Sequence, residues 1–153
     1  MPKGDEEKKD KCGLVVIGSD TVVALGGKIY GKPKTAEEAK EMLRALSGKE
    51  HQVYSGVCVF TLYQEEDNMT KTVTAVEKFH EATDVKFTEL DDAVIEGYVA
   101  TGEPMDKAGA YGIQAVGGTL VESIRGDFFN VMGFPLHRFC SELVAWFRRL
   151  KLL

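Results

Sequence analysis

What most restricts the fold of this chain is a pair of long β-forming segments. Gln52 to Tyr63 is rich in β-branched and aromatic residues, and Met69 to Phe79 alternates apolar with polar positions. The polar segment Gln64 to Asn68 between them reads as a turn, so the pair predicts two long strands running out and back. Thr83 to Phe87 reads as a further, shorter strand. Upstream, Leu14-Val15-Val16-Ile17 reads as a buried strand that ends at Gly18-Ser19-Asp20-Thr21, with Val22 to Leu25 continuing extended. Gly26-Gly27 is a tight-turn signal that returns Lys28 to Tyr30 as a second arm.

Helical signals lie between these segments. Thr35-Ala36-Glu37-Glu38 has the form of a capping box, followed by Ala39, Met42, Leu43 and Leu46 on one face and by Gly48 as the stop. Thr88 is a candidate cap for a second helix over Glu89 to Ala100, with Leu90, Ala93, Val94 and Tyr98 facing inward and Gly102 and Pro104 ending it. Thr119 to Ile124 reads as a strand and Pro135 to Leu152 as a final amphipathic helix. That helix has a basic end, which suits a helix C-terminus. Strands and helices alternate without repeat or linker, which predicts an α/β class, or α+β with a mixed sheet. The 153 residues suit one domain over 14–153, after a charged tail over 1–13 that is expected to be disordered.

The net charge of −5 argues against a binder of nucleic-acid polymers, which needs a basic surface to release counterions. It leaves room for a nucleotide site, since a few local cations can hold phosphate. Cys12, Cys58 and Cys140 are odd in number and show no CxxC spacing, so neither a disulfide framework nor a zinc site is indicated. Unpaired thiols fit a reducing compartment, and the expected location is the cytoplasm. No apolar run is long enough to span a membrane, and the charged first residues do not form a signal peptide.

Several residues could carry chemistry. Asp20 and Thr21 fall just past a strand, where ligands of open α/β sheets bind. A carboxylate there can hold a divalent metal or take a proton from water; it can equally cap a turn. Lys32, in Tyr30-Gly31-Lys32-Pro33, is a cation after a glycine and can serve a phosphate; as a lone residue it is also an ordinary surface lysine. Ser47-Gly48-Lys49 lacks P-loop spacing and reads better as a helix end. The stretch Gly102 to Gln114 is too rich in turn residues for a core element and too specific for a linker, and loops of this kind often carry function. Within it Gln114 offers a donor and acceptors that can read a uracil or thymine edge, or bond its own backbone. Glu122 and Asp127 flank a strand end and could join Asp20 in metal-assisted phosphoryl chemistry, or be solvated charges at a strand edge.

Together these pieces resemble the Maf family, also called septum formation protein homologues. The matching stretches are Gly18 to Val23, Gly31-Lys32-Pro33, Leu46-Ser47-Gly48 with His51-Gln52-Val53, the glycine-rich stretch to Gln114, Val121 to Gly126, and Asn130 to Leu136. They stand in the family's order and cover nearly everything from Leu14 onward. The resemblance implies an elongated mixed sheet with a cleft, flanked by helices and related to the inosine triphosphate pyrophosphatases. It implies hydrolysis of a nucleoside triphosphate between the α and β phosphates, with a divalent cation, Mg²⁺ or alternatively Mn²⁺. By resemblance Asp20 is the proton acceptor and a metal ligand. Thr21 and Gln114 set base choice, Lys32 contacts phosphate, and Glu122 is a further metal partner. Tyr111-Gly112-Ile113-Gln114 resembles the branch acting on dTTP, UTP and modified uridine nucleotides. A homodimer is implied, with no membrane and no nucleic-acid polymer as partner.

The family also begins with a strand, a Ser-Pro-Arg-Arg type turn and a helix, for which this sequence shows no counterpart before Leu14. That first strand and helix are expected to be missing, and with them a phosphate-gripping arginine, a base-selecting contact and an acidic residue. The later half also resembles the Maf part of an animal protein fused to a methyltransferase-like domain, of which no part is expected here. The alternative to catalysis is a nucleotide-binding or dimerisation module.

Overall fold

A computed structural model describes residues 13–65 and 68–153. The charged segment 1–12, with Cys12, and the centre of the turn expected between Gln64 and Asn68 lie outside the described residues. Gly13, placed above in the tail, is the first residue of β1 (Gly13–Leu25). There follow β2 (Lys28–Tyr30), α1 (Ala36–Leu46), β3 (Glu50–Glu65), β4 (Asn68–Phe87), α2 (Asp92–Ala100), β5 (Val121–Arg125), α3 (Phe128–Met132) and α4 (Leu136–Arg149). Three short 3₁₀ turns, Glu103–Asp106, Ala108–Ala110 and Val116–Leu120, fill the glycine-rich stretch.

This is the expected α/β architecture, with one five-stranded sheet in the order β2-β1-β3-β4-β5. Each pairing among these strands is antiparallel; β1–β2 and β3–β4 are hairpins, while β2 and α1 intervene between β1 and β3, and α2 with the 3₁₀ turns between β4 and β5. Two expected breaks are absent. Gly18-Ser19-Asp20-Thr21 does not end a strand: β1 runs through it, paired with β3 from Gly13↔Tyr63 to Ala24↔Gln52. Met69 to Phe79 and Thr83 to Phe87 are likewise one strand, paired with β3 as far as Glu50↔Lys86. In both places a continuous partner ladder outweighs local turn preference.

Alternation along β3 sorts the two faces. His51, Val53, Ser55, Val57, Val59 and Thr61 are all buried. Over Val53 and its neighbours Val23, Val85 and Phe87 pack Leu43 and Leu46 of α1 with Ile95, Tyr98 and Val99 of α2. Over Thr61 packs α4, whose Trp146 Nε1 donates to Thr61 Oγ1 at 3.0 Å. The expected inward set of the second helix is therefore shifted. Asp91, not Thr88, is the cap, its carboxylate accepting from the Val94 amide at 2.8 Å, and Val94 is exposed. The first helix follows its capping signal: Thr35 Oγ1 accepts from Glu38 N at 3.1 Å, and the Glu38 carboxylate accepts from Lys34 N at 2.7 Å.

The expectation that Leu14 to Ile17 are buried fails; they are 40–53% exposed. The helices of the core sit over the Val23 end of β1, and β2 pairs only with Val23 to Leu25, so the start of β1 is a sheet edge among the described residues.

Candidate active site

A cleft of about 230 Å³ opens beside β1. Ser19, Asp20, Thr21 and Val23 of β1 form one side, and Lys32, just after β2, stands at its rim. Asp106 and Lys107, Tyr111 to Gln114, and Val131 to Gly133 also line it. Asp20, Thr21, Lys32 and Gln114 are thus brought to one place from three separate parts of the sequence.

Their settings differ. Asp20 lies within the strand rather than past its end, and is exposed. Its Oδ1 accepts from the Thr21 amide at 2.9 Å. Thr21 is held inward: Oγ1 lies 2.7 Å from Ser55 Oγ and 3.2 Å from the Gly133 carbonyl, while Ser55 Oγ donates to the Asn130 carbonyl at 3.1 Å. With the Ser55 proton on the Asn130 carbonyl, the single Thr21 proton is shared between Ser55 Oγ and the Gly133 carbonyl, so the Thr21 hydroxyl is engaged by the protein and ties β1 to the loop after α3. Asn130 is fully buried, its Nδ2 donating to the Val53 carbonyl and to Thr83 Oγ1, each at 3.0 Å.

Lys107 carries a second cation beside Lys32. Its ammonium sits 2.6 Å from the Asp106 carboxylate. The Asp106 carboxyl is held below its usual range by Lys107 first and, more weakly, by Lys32. Asp106 therefore lies in the field of both lysines and occupies space that a phosphate charge could take. These two residues belong to the stretch singled out by its glycines, but nothing separated Lys107 from Lys32 as a cation. The adjacent acid–base pair was the only available signal.

Tyr111 lines the cleft with its ring held from behind. Its hydroxyl is 2.9 Å from His51 Nε2, and both rings pack edge-on against Phe87. Burial pushes the His51 pKa down to about 4, opposed by a weaker contact with the Lys49 backbone, and raises the Tyr111 phenol. Near neutral pH this pair is an uncharged wall.

Glu122 does not join the site. It lies on β5, three strands from β1, and in register it stands about six residues further along β4 than the level of Asp20. At ~4.8 Å per strand and ~3.3 Å per residue the two carboxylates are roughly 25 Å apart, too far to share an ion. Asp127 caps α3, accepting from Phe129 N at 2.9 Å, and Lys49 donates to the Ala45 carbonyl at 2.8 Å, so both serve helix ends. No group of three or more His, Cys, Asp or Glu that could hold a metal occurs among the described residues. The cleft offers a divalent ion two carboxylates, Asp20 and the lysine-paired Asp106, so phosphate oxygens and water would have to complete its shell, which is the manner in which Mg²⁺ is commonly held.

An α/β sheet with a cleft carrying an exposed carboxylate, two lysines and a glycine-rich wall defines a protein suited to a phosphorylated ligand. The chain belongs to the Maf-like protein family, whose model matches residues 3–146. It is 52% identical over 130 residues to a human protein named probable bifunctional dTTP/UTP pyrophosphatase/methyltransferase, covering 85% of this chain and 20% of that one. It is 53% identical over 121 residues to a dTTP/UTP pyrophosphatase of Thermococcus kodakarensis, covering 79% of this chain and 58% of the relative. A dTTP/UTP pyrophosphatase of Bacillus cytotoxicus is 48% identical over 129 residues, covering 84% and 62%. The chain thus spans about three fifths of the length of these two microbial relatives. No helix among the described residues is long and apolar enough to cross a membrane.

Proposed function

We propose that this chain hydrolyses the α–β phosphoanhydride bond of dTTP, UTP or a modified uridine nucleotide, giving the monophosphate and pyrophosphate. The observation that carries the proposal is the meeting of Asp20, Lys32, Lys107 and Gln114 on one cleft. Names of relatives that act on dTTP and UTP support the choice of nucleotide.

In this reading Asp20 accepts a proton from water as the water oxygen bonds to the α phosphorus. The bond from that phosphorus to the α–β bridging oxygen breaks, and pyrophosphate leaves with the electron pair. Asp20 is exposed, and its Oδ1 takes the Thr21 amide, which leaves Oδ2 for water. Asp20, with phosphate oxygens and water, would hold a divalent cation, Mg²⁺ or Mn²⁺, which would supply charge neutralisation on the phosphates. Lys32 and Lys107 offset the remaining phosphate charge, and positioning with electrostatics carries most of the catalysis in phosphoryl transfer. Gln114 reads the pyrimidine edge; Thr21, which the resemblance gives a part in base choice, lines the same cleft while its hydroxyl, engaged by Ser55 and Gly133, also fixes the strand that carries Asp20. The free thiols Cys58 and Cys140 suit a reducing, cytoplasmic setting. The homodimer implied by the resemblance belongs to the same proposal, and sedimentation velocity tests it.

The test is pyrophosphate release from dTTP, UTP, CTP and GTP with Mg²⁺. Turnover confined to dTTP and UTP, falling at least ~10²-fold in Asp20→Asn with unchanged melting, is the expected result. An Asp20→Asn rate equal to that of the parent refutes the assignment of the base.

One observation favours a second reading. Asp20 alone faces the cleft as a metal-binding carboxylate not already paired with a lysine, which suits a module that binds nucleotide without turning it over. Melting with and without dTTP and Mg²⁺ separates the two, since a ligand bound only by the folded state raises stability. A shift without turnover selects the binding module.

A further inference from the structure

The wall that presents Gln114 is fastened at both of its ends to one pair of side chains. Glu103 Oε1 accepts from the Gly117 amide at 3.0 Å and Oε2 from the Val116 amide at 3.1 Å. Tyr98 Oη donates to Glu103 Oε1 at 2.9 Å and accepts from the Gly112 amide at 3.2 Å. The segment from Gly112 to Gly117 therefore leaves this pair and returns to it, with Ile113 and Gln114 at the cleft between the two fastenings. Tyr98 is buried on α2 and Glu103 half-buried in the 3₁₀ turn just after it, so both members of the clamp lie outside the Gly112–Gly117 segment they hold. Burial first, with the Glu103 carboxylate adding to it, raises the Tyr98 phenol, which keeps its proton for the bond to Glu103. The fit is close: a Cβ at Gly117 would collide with the Tyr98 hydroxyl and stand 2.6 Å from the Gly112 carbonyl.

A fixed loop matters to a glutamine in particular. Its amide offers a carbonyl and an NH₂ that a half-turn interchanges. A uracil presents an N3–H donor beside carbonyl acceptors, and a cytosine presents the reverse at N3 and C4. A glutamine whose backbone wanders can approach either edge from many positions, so choice between them requires that the loop hold its backbone at one distance and angle from the base.

We infer that Glu103, with Tyr98, is a positioning residue for base selection: it holds the Gly112–Gly117 segment so that Gln114 meets a uracil or thymine edge from one fixed backbone position. This rests on the nucleotide reading above. Glu103 is not among the residues that line the cleft. Its role concerns discrimination between bases and not grip on the triphosphate, which falls to Lys32 and Lys107.

The experiment compares the parent with Glu103→Ala, Glu103→Gln and Tyr98→Phe. It reads kcat/KM on UTP and CTP, the inhibition constant of inorganic triphosphate, and hydrogen exchange at the Val116 and Gly117 amides. In Glu103→Ala the kcat/KM on UTP is expected to fall about 10–100-fold, as small misplacements of a contact do. The preference for UTP over CTP collapses toward unity, and inhibition by inorganic triphosphate stays within about twofold. Glu103→Gln keeps one carbonyl oxygen for the Tyr98 and Gly117 bonds but turns an NH₂ toward the Val116 amide, so it falls between parent and Glu103→Ala. Equal losses on UTP and CTP, or a weakened grip on triphosphate to match, overturn the positioning role and leave a merely structural one. If the parent hydrolyses neither nucleotide, it is the functional reading that falls. The clamp is then judged on exchange and on UTP-over-CTP binding, and protection of Val116 and Gly117 that survives Glu103→Ala overturns it.

Discussion

Asn130 anchors the segment that brings Val131 to Gly133 to the cleft, and its truncation has a calculable cost. The side chain is fully buried and its Nδ2 makes two hydrogen bonds, to the Val53 carbonyl and to Thr83 Oγ1, each 3.0 Å long. Its Oδ1 accepts from no group among the described residues. Asn130→Ala removes both bonds, at ~1–1.5 kcal/mol each. Thr83 suffers little, because its hydroxyl still donates to the Asp127 carbonyl and accepts from the Asp127 amide. The Val53 carbonyl loses a partner and a small void opens, adding about 1 kcal/mol, while the unpartnered Oδ1 disappears and returns a similar amount. The net is about 2–3 kcal/mol, or a melting temperature lower by roughly 5–10 °C for a chain of this size. Asn130→Asp keeps the shape but replaces two donors by a carboxylate facing two oxygens. It should cost several kcal/mol at pH 8, and less at pH 5, where a proton on the carboxyl restores one donor. Thermal melts followed by circular dichroism at the two pH values read both effects. An Asn130→Asp protein as stable as the parent at pH 8 would refute the hydrogen-bond directions on which the estimate rests.

Two further outcomes follow from the core. Leu43→Ala, at a fully buried position of α1 packed over the sheet, should cost ~2–5 kcal/mol, read as a lower urea midpoint with an unchanged slope. His51, fully buried and pushed down to about 4, makes stability depend on pH. Above about pH 6.5 neither state is protonated there and its contribution is flat. Between 6.5 and 4 only the unfolded chain takes the proton, so stability falls with pH by up to ~1.4 kcal/mol per unit, about 3 kcal/mol in all. Urea titrations from pH 7.5 to 4.5 should show that limb in the parent, and His51→Gln should flatten it.

The parts of this fold legible in the sequence are those where local and tertiary preferences agree. The long strands either side of Gln64 to Asn68 announce themselves by composition, and the first helix by the Thr35–Glu38 pair, whose side chain to backbone bond is present. What escaped was set by partners distant in sequence. Gly18-Ser19-Asp20-Thr21 carries turn residues, yet it lies opposite Ser55 to Cys58, and that ladder keeps it extended. Leu14 to Ile17 have the composition of a buried strand, but burial depends on what lies over them, which no local pattern states. The site was legible from the residues alone as types, Asp20, Lys32 and Gln114, and as a set only through the family resemblance. Glu122 looked equivalent to Asp20 by chemistry and is excluded only by strand order. Glu103 and Tyr98 gave no signal of their joint role, since what they hold is backbone.

The placement of Asp20 and Thr21 on one strand divides two tasks that adjacent residues could otherwise confuse. Successive side chains of a strand point to opposite faces. Thr21 faces Ser55 and the Asn130 region, on the face that the helices cover. Asp20 stands on the other, level with Gly56 and two residues from Gly18, where an added Cβ would meet nothing within 4 Å at either glycine. On a central strand a carboxylate so placed would be walled off from the cleft by the neighbouring strand. Here the outer side of β1 carries no strand partner before Val23 among the described residues, so Asp20 borders the cleft and solvent together. The anchoring chain through Thr21, Ser55 and Asn130 does not pass through the Asp20 side chain. That separation is why Asp20→Asn can remove a base without loosening the fold, and why loss of stability in that variant would count against the division argued for here.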